Sequence, residues 1–210
     1  MSSASAGLAG SFRGSTFQSA WVRYRQASEL DQAAYGVVWK PVKRFSHPGL
    51  HYQRWLRLLE FALSVDHFGS TLLVLLIKVR LKQIGMKLGY SIPAFTFGPG
   101  LTLPHYGSIV VNDKVRSGSF CRVHSAVNVG ESGGRAPVLG NGVYLGPGSV
   151  LFGDIVVGDR VVVGANSVVT TDVPSDCTVV GAPGRIMAGS DIDQVFPSHI
   201  ADEIRNRFGG

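Results

Sequence analysis

Cysteine is scarce in this chain. Cys121 and Cys177 are the only two in 210 residues, too few for a disulfide framework, and both sit in apolar surroundings as small buried fillers. Charge is sparse as well, at 16% of residues against 45% hydrophobic, which excludes a disordered chain and leaves a globular one. Long apolar runs are missing. The longest, Leu72 to Ile77, falls far short of the roughly 20 residues of a membrane span. The first twenty residues are rich in Ser, Gly and Ala without the apolar core of a signal peptide, so a loose tail and a cytoplasmic location are expected. His47, His51, His67 and His199 show no ligand spacing with one another or with cysteine, and no metal site is expected.

Two things are abundant. Glycine numbers 27 residues, most of them after Gly85, which suggests one turn repeated many times. Basic charge is concentrated in the first part: residues 1–90 hold 12 Lys/Arg against 4 Asp/Glu, and the remainder 8 against 10. Solvated helix faces explain such a bias most simply. The functional alternative is a surface for an anionic partner, either a phosphate-bearing substrate or, through weak association, an acidic membrane surface. Nucleic acid is not expected, because no recognition motif accompanies the charge.

Residues 50–65 place Trp55, Leu58, Leu59 and Ala62 at helical spacing, and residues 69–88 read as a second helix from Gly69-Ser70-Thr71 to Gly89. A short helix from Trp21 to Ala34 is expected before them. Trp39, Phe45, Tyr52, Trp55 and Phe61 suit the packing of such a helical region. The organisation is then a tail over 1–20, an α-helical domain over 21–90, a β domain over 91–188 and a C-terminal helix over 189–210. That last helix is expected to cover an open strand edge.

A six-residue frame set on Leu139 puts Leu or Val at every first position: Leu139, Leu145, Leu151, Val157, Val163 and Val169. The fifth positions are Val143, Ser149, Ile155, Val161, Ser167 and Val173. Extended backward from Val129, the same frame falls on Val123, Ser117, Val111, His105 and Pro99, and four extra residues, Arg135 to Val138, separate the two blocks. Neither a helical nor an alternating period holds a register of six this long. The physical reading is a mainly β, parallel β-helix: each hexapeptide makes one short face, three make a turn, and turns stack about 4.8 Å apart. Twelve hexapeptides give about four coils, with the Glu131–Val138 region pushed out as a loop.

The stretches Gly98-Pro99-Gly100-Leu101, Leu103-Pro104-His105-Tyr106-Gly107, Val143-Tyr144-Leu145-Gly146-Pro147-Gly148, Val163-Gly164-Ala165-Asn166-Ser167 and Gly181-Ala182-Pro183-Gly184-Arg185 together resemble the left-handed β-helix acyltransferases. Within these they are similar to the serine acetyltransferase-like branch, and Leu103 to Gly107 looks like its capsule- and lipopolysaccharide-associated members. The resemblance implies an O-acetyltransferase that uses acetyl-CoA. It also implies a homotrimer, extendable to a hexamer, because the family's cofactor groove lies between neighbouring prisms.

His105 matches the family's catalytic histidine, and the resemblance implies a general base. It sits at a frame position otherwise aliphatic, so its imidazole is either a misfit in the core or displaced toward a cleft. A hydroxyl attacks a thioester poorly until a base takes its proton, and histidine titrates in the right range. His124 is a candidate second polar group and Asp113 a candidate to orient the base. Gly146, Pro147, Gly164 and Ala165 match the family's cofactor contacts, and Arg185 matches the basic residue near the nucleotide phosphates. Two departures stand out. Pro104 occupies the place of an Asp, and Ala136 that of a second histidine, in the serine-acetylating members. A sugar of a surface polysaccharide or small glycan is therefore the expected acceptor, with L-serine as the alternative and a non-catalytic solenoid scaffold as the bland one. The oxyanion donor is sought among backbone N–H groups near Gly146 or in the Gly133-Gly134 loop.

Overall fold

A computed structural model describes residues 15–65 and 71–209. Most of the expected tail, the start of the second helix at Gly69-Ser70 and His67 lie outside the described residues. Helix α1 (Phe17–Ala34) begins within the expected tail, where the Thr16 side chain accepts a hydrogen bond from Ser19 N and caps it. A single turn, α2 (Lys43–Ser46), precedes α3 (Pro48–Ser64), which opens on a proline whose missing N–H is no loss in a first turn. Helix α4 (Thr71–Leu88) follows. Leu56, Leu59, Ile77, Leu81 and Ile84 of α3 and α4 pack against Ile92, Phe97 and Leu101, so this pair covers one end of the β domain.

The strands are short: β1 (Tyr90–Ser91), β2 (Ile109–Val111), β3 (Arg116–Ser117), β4 (Arg122–Val123), β5 (Val127–Gly130), β6 (Val138–Leu139), β7 (Tyr144–Leu145), β8 (Val150–Phe152), β9 (Val156–Val157), β10 (Val162–Val163), β11 (Val168–Val169), β12 (Cys177–Val180) and β13 (Arg185–Ala188). They form the three faces of a parallel β-helix. One face runs β1-β2-β5-β8-β11, the second β4-β7-β10-β12 with β13 antiparallel at its end, and the third β3-β6-β9. Isolated bridges Phe97↔Ser117, Thr102↔Arg122 and Val157↔Val173 bring every face to five rungs. Five coils replace the four expected, because the first begins at Tyr90, ahead of the glycine-rich Gly98–Gly100.

The second block follows the expected frame: its six first-position and six fifth-position side chains are all buried. The first block departs from it. Parallel pairing steps by 18 residues from Val111 to Val129 but by 20 from Phe97 to Ser117. Two extra residues therefore lie between Leu103 and Val111. The interior positions are Phe97 and Leu103, 3% and 1% exposed, in place of the expected Pro99 and His105.

After β13 come α5 (Ile192–Val195) and α6 (Ser198–Phe208), parted at Pro197. They do not cover the last coil. Ile200, Ala201 and Ile204 pack with Phe120 and Val162 on the side of the prism, and a Cβ on Gly142 would meet Ile204. The edge of β12 is paired by β13 instead, which removes the same exposed row of N–H and C=O groups.

The helices are also tied to the first coil by a buried ionic cluster. The Arg57 guanidinium donates to Asp31, Glu60 and the carbonyls of Phe97 and Gly98, while Asp31 accepts from Gly100 N. Burial opposes the charge on Arg57, but the two carboxylates outweigh it and hold the guanidinium protonated.

Candidate active site

The two-residue insertion sets His105 on the surface. Leu103 points inward, Ile109 and Val111 point inward again, and the residues between them bulge outward, leaving His105 and Tyr106 exposed. The bulge is pinned at both sides. Gly107 N donates to Leu88 O at 2.8 Å, and Tyr90 Oη donates to the His105 carbonyl at 2.8 Å. Gly107 has φ 140°, and a Cβ there would stand 2.9 Å from the Ser125 Cβ, so only glycine lets this corner close on the next coil.

Parallel register then decides what lies beside His105. Val123 pairs with Leu145 and Leu145 with Val163. The residues that follow each strand therefore stack on one edge of the prism: His124, Gly146 and Gly164 in one column, Ser125, Pro147 and Ala165 in the next. His124 N donates to Leu145 O, Gly146 N to Val163 O and Gly164 N to Val179 O, which fixes the stacking. The rings of His105 and His124 lie 5.6 Å apart, and His124 packs on Tyr144 at 5.1 Å. Burial, then the nearby Arg122 charge and His105, push the His124 imidazole down to about 4, so it is neutral at pH 7.

Below the histidines the edge is lined by small residues. Pro147 and Ala165 are exposed, and Gly146 is buried where a Cβ would stand 2.7 Å from Val163 O. A groove with little side chain lets an extended ligand approach the backbone. Arg185 pairs with Val180, the next residue of the His124–Gly146–Gly164 column. At one rung per step it stands about 19 Å along the edge from His124. The five expected cofactor residues and both histidines thus share one edge.

Asp113 does not join them. It lies at the far end of β2, on the next corner of the prism, where its carbonyl accepts from Arg116. A strand separates the two corners, and the contacts at His105 are the Tyr90 bond to its carbonyl and the ring of His124. The loop after β5 hangs from that second corner as well, held by Lys114 to Glu131 at 2.7 Å, Lys114 to the Gly134 carbonyl, and Arg135 to Asp154 at 2.9 Å. Within one chain the Gly133-Gly134 backbone is therefore remote from His105, and the Gly146 N–H on the same edge is committed to Val163 O at 2.8 Å. Cys121 is buried against Ser117, its thiol pushed up to about 11 by burial, and takes no part in the edge; Cys177 is half-buried.

Tyr90, Arg122 and Tyr144 belong to the site but were not singled out in the sequence. Arg122 and Tyr144 occupy outward positions on adjacent rungs. The frame contains that signal, since both directly precede interior residues, Val123 and Leu145. Tyr90 gave none, because its role depends on where the bulge folds.

Comparison with known proteins finds relatives for the repeat and for the fold. Residues 136–171 match the bacterial transferase hexapeptide family, described as six repeats. A serine acetyltransferase of Synechococcus elongatus is 38% identical over 116 residues, 52% of this chain and 48% of that protein. The mitochondrial serine acetyltransferase 3 of Arabidopsis thaliana is 34% identical over 103 residues, 47% of this chain and 26% of that one. The chain thus spans about half the length of the first relative and a quarter of the second. The crystal structure of the Neisseria gonorrhoeae serine acetyltransferase superimposes with a TM-score of 0.65 at 26% identity, covering 89% of this chain and 72% of the other. These relatives lend no support to the capsule- and lipopolysaccharide-type resemblance expected from Leu103 to Gly107. The family match is thus to residues 136–171, and the proteins this chain resembles in sequence and in fold are serine acetyltransferases.

Proposed function

We propose that the chain is an acetyl-CoA-dependent O-acetyltransferase in which His105 is the general base and L-serine the acceptor. The observation that carries this reading is the single edge on which an exposed His105, a neutral His124 and the small residues Gly146, Pro147, Gly164 and Ala165 follow one another. On it, the thioester of acetyl-CoA lies beside the two imidazoles and the pantetheine arm runs down the small-residue columns toward Arg185. His105 takes the proton of the acceptor hydroxyl as its oxygen attacks the thioester carbon. The C–S bond breaks, and the proton passes to the departing thiolate. A base placed this way contributes about 10²–10⁴ in rate. Neutral His124 adds a polar neighbour without a second positive charge to oppose protonation of His105.

L-serine replaces the glycan as the favoured acceptor because the relatives bear the name serine acetyltransferase. The departures at Pro104 and Ala136 remain, and the acceptor must be held by other groups. We also propose a homotrimer, since a second copy is needed to bring a loop such as Gly133-Gly134 to the His105 edge.

The test is thiol release from acetyl-CoA in the presence of L-serine or of free sugars, with the product identified by mass. Release that depends on L-serine and yields O-acetylserine supports the reading. Release with sugars alone restores the glycan acceptor. No release with any hydroxyl, together with no CoA binding, overturns it in favour of a scaffold.

A further inference from the structure

Helix α4 has two apolar faces. Ile77, Leu81, Ile84 and Gly85 are buried on one, against α3 and the first coil. On the other, Leu72, Leu75, Leu76, Val79 and Met86 are between 45% and 68% exposed. At one residue per 100° these five fall within an arc of about 100°, nearly opposite the buried set. The core therefore uses only one side of α4. The outward side of a surface helix is ordinarily polar, and here it is a stripe of leucine, valine and methionine.

Cations frame the stripe. By helical spacing Lys78 and Lys82 run along one border and Arg80 and Lys87 along the other, all four exposed, and Thr71–Leu88 holds no Asp or Glu. The Arg80 border continues onto α3 and α2. Arg80 lies over the Trp55 ring, Arg54 over Trp39 and Arg44 over the exposed Phe45. The same three arginines surround His51, whose imidazole is held below its ordinary range by burial and then by their charges. The described acids of the helical region do not offset this field. Glu29 pairs with Arg25, and Asp31 and Glu60 with Arg57.

We propose that α4 docks the protein on an anionic lipid bilayer, with Leu72, Leu75, Leu76 and Val79 entering the acyl boundary while the bordering lysines and arginines meet the headgroups. Charge complementarity selects this occupant. A second copy laid on the stripe would set cations against cations in either direction, because both borders are basic. A bilayer places its acidic groups in a plane over a hydrocarbon layer, which matches an apolar stripe between two basic rows. Four cations in 18 residues leave α4 lying in that surface and not crossing it. The stripe is opposite the core face, so α4 enters the interface without parting from α3. This goes beyond the acetyltransferase reading and does not depend on it, and it gives the basic excess of residues 1–90 a surface to act on.

Flotation of the full chain with lipid vesicles tests the proposal without turnover. Wild type is expected to float with vesicles of phosphatidylcholine mixed with phosphatidylglycerol, to stay behind with phosphatidylcholine alone, and to be released as sodium chloride is raised. L75Q/V79Q is expected to lower partitioning at least about tenfold by removing apolar contact. K78Q/K82Q is expected to lower it about 10- to 30-fold by removing charge. All four positions are exposed, so melting temperatures without lipid are expected to match wild type. The lysine pair touches no core and reads the charge separately from the stripe. No flotation of wild type with the mixed vesicles, or equal flotation with both kinds, overturns the proposal. So does wild-type flotation of either variant. Light scattering on L75Q/V79Q gives the last check: a smaller assembly than wild type makes the stripe a contact between subunits and overturns the lipid surface, and an unchanged assembly supports it.

Discussion

His124 sits half-buried between His105 and Tyr144, and its depressed imidazole ties the site to stability. In the unfolded chain a histidine binds its proton near pH 6.5, and in the fold His124 does so only near pH 4. Between those values the unfolded state holds the extra proton, so acidification favours unfolding. The contribution is fully present above about pH 6.5 and is lost as pH falls through 4. Thermal melts from pH 7 to pH 4 are expected to show a shallower decline for H124Q than for wild type; parallel curves would contradict the assignment. The exposed position of His105 was only half legible in the sequence, which left its imidazole either a misfit in the core or displaced toward a cleft. Its place at an interior frame position was an artefact of counting back from Val111 through a segment two residues too long. The chain there is Pro-His-Tyr-Gly-Ser, with no aliphatic to mark where the register slips. Asp113 was misjudged on similar grounds, because proximity in sequence hides the strand that separates two corners.

At the scale of elements, the edge of the prism is the unit that matters. Stacking at one rung per coil converts residues about 18–22 apart into neighbours, which is why Gly146, Gly164 and the two histidines meet. This was legible, since the second block keeps strict register and its glycines fall where the frame requires them. Ala165 offers a clean probe of the groove because it is exposed and packs no core. A165F is expected to raise the KM for acetyl-CoA by at least about tenfold while leaving the melting temperature unchanged. A wild-type KM in that variant would move the cofactor off this edge. The C-terminal helix is the element whose position sequence did not disclose. Its apolar stripe, Ile200, Ala201 and Ile204, is equally suited to the end of a prism or to its flank. The choice was made by contacts with Phe120, Val162 and Gly142, which are far away in the chain.

At the scale of the molecule, the helical half and the β-helix act together. Arg57, buried with Asp31 and Glu60, fastens α1 and α3 to the first coil, and Tyr35 fastens them to the strand that leads into Pro104 and His105. The corner that carries His105 is thus held from both halves, with Leu88 O accepting from Gly107 N, which composition did not disclose. Among the described residues no helix is long and apolar enough to cross a membrane. The account as a whole depends on the His105 imidazole removing a proton from a hydroxyl. The direct measurement is the rate of thiol release from acetyl-CoA with L-serine by wild type and H105A, alongside their melting temperatures and CoA affinities. The account predicts a kcat for H105A lower by about 10²–10⁴, with melting temperature and CoA affinity unchanged. Full activity in a folded H105A protein would contradict it.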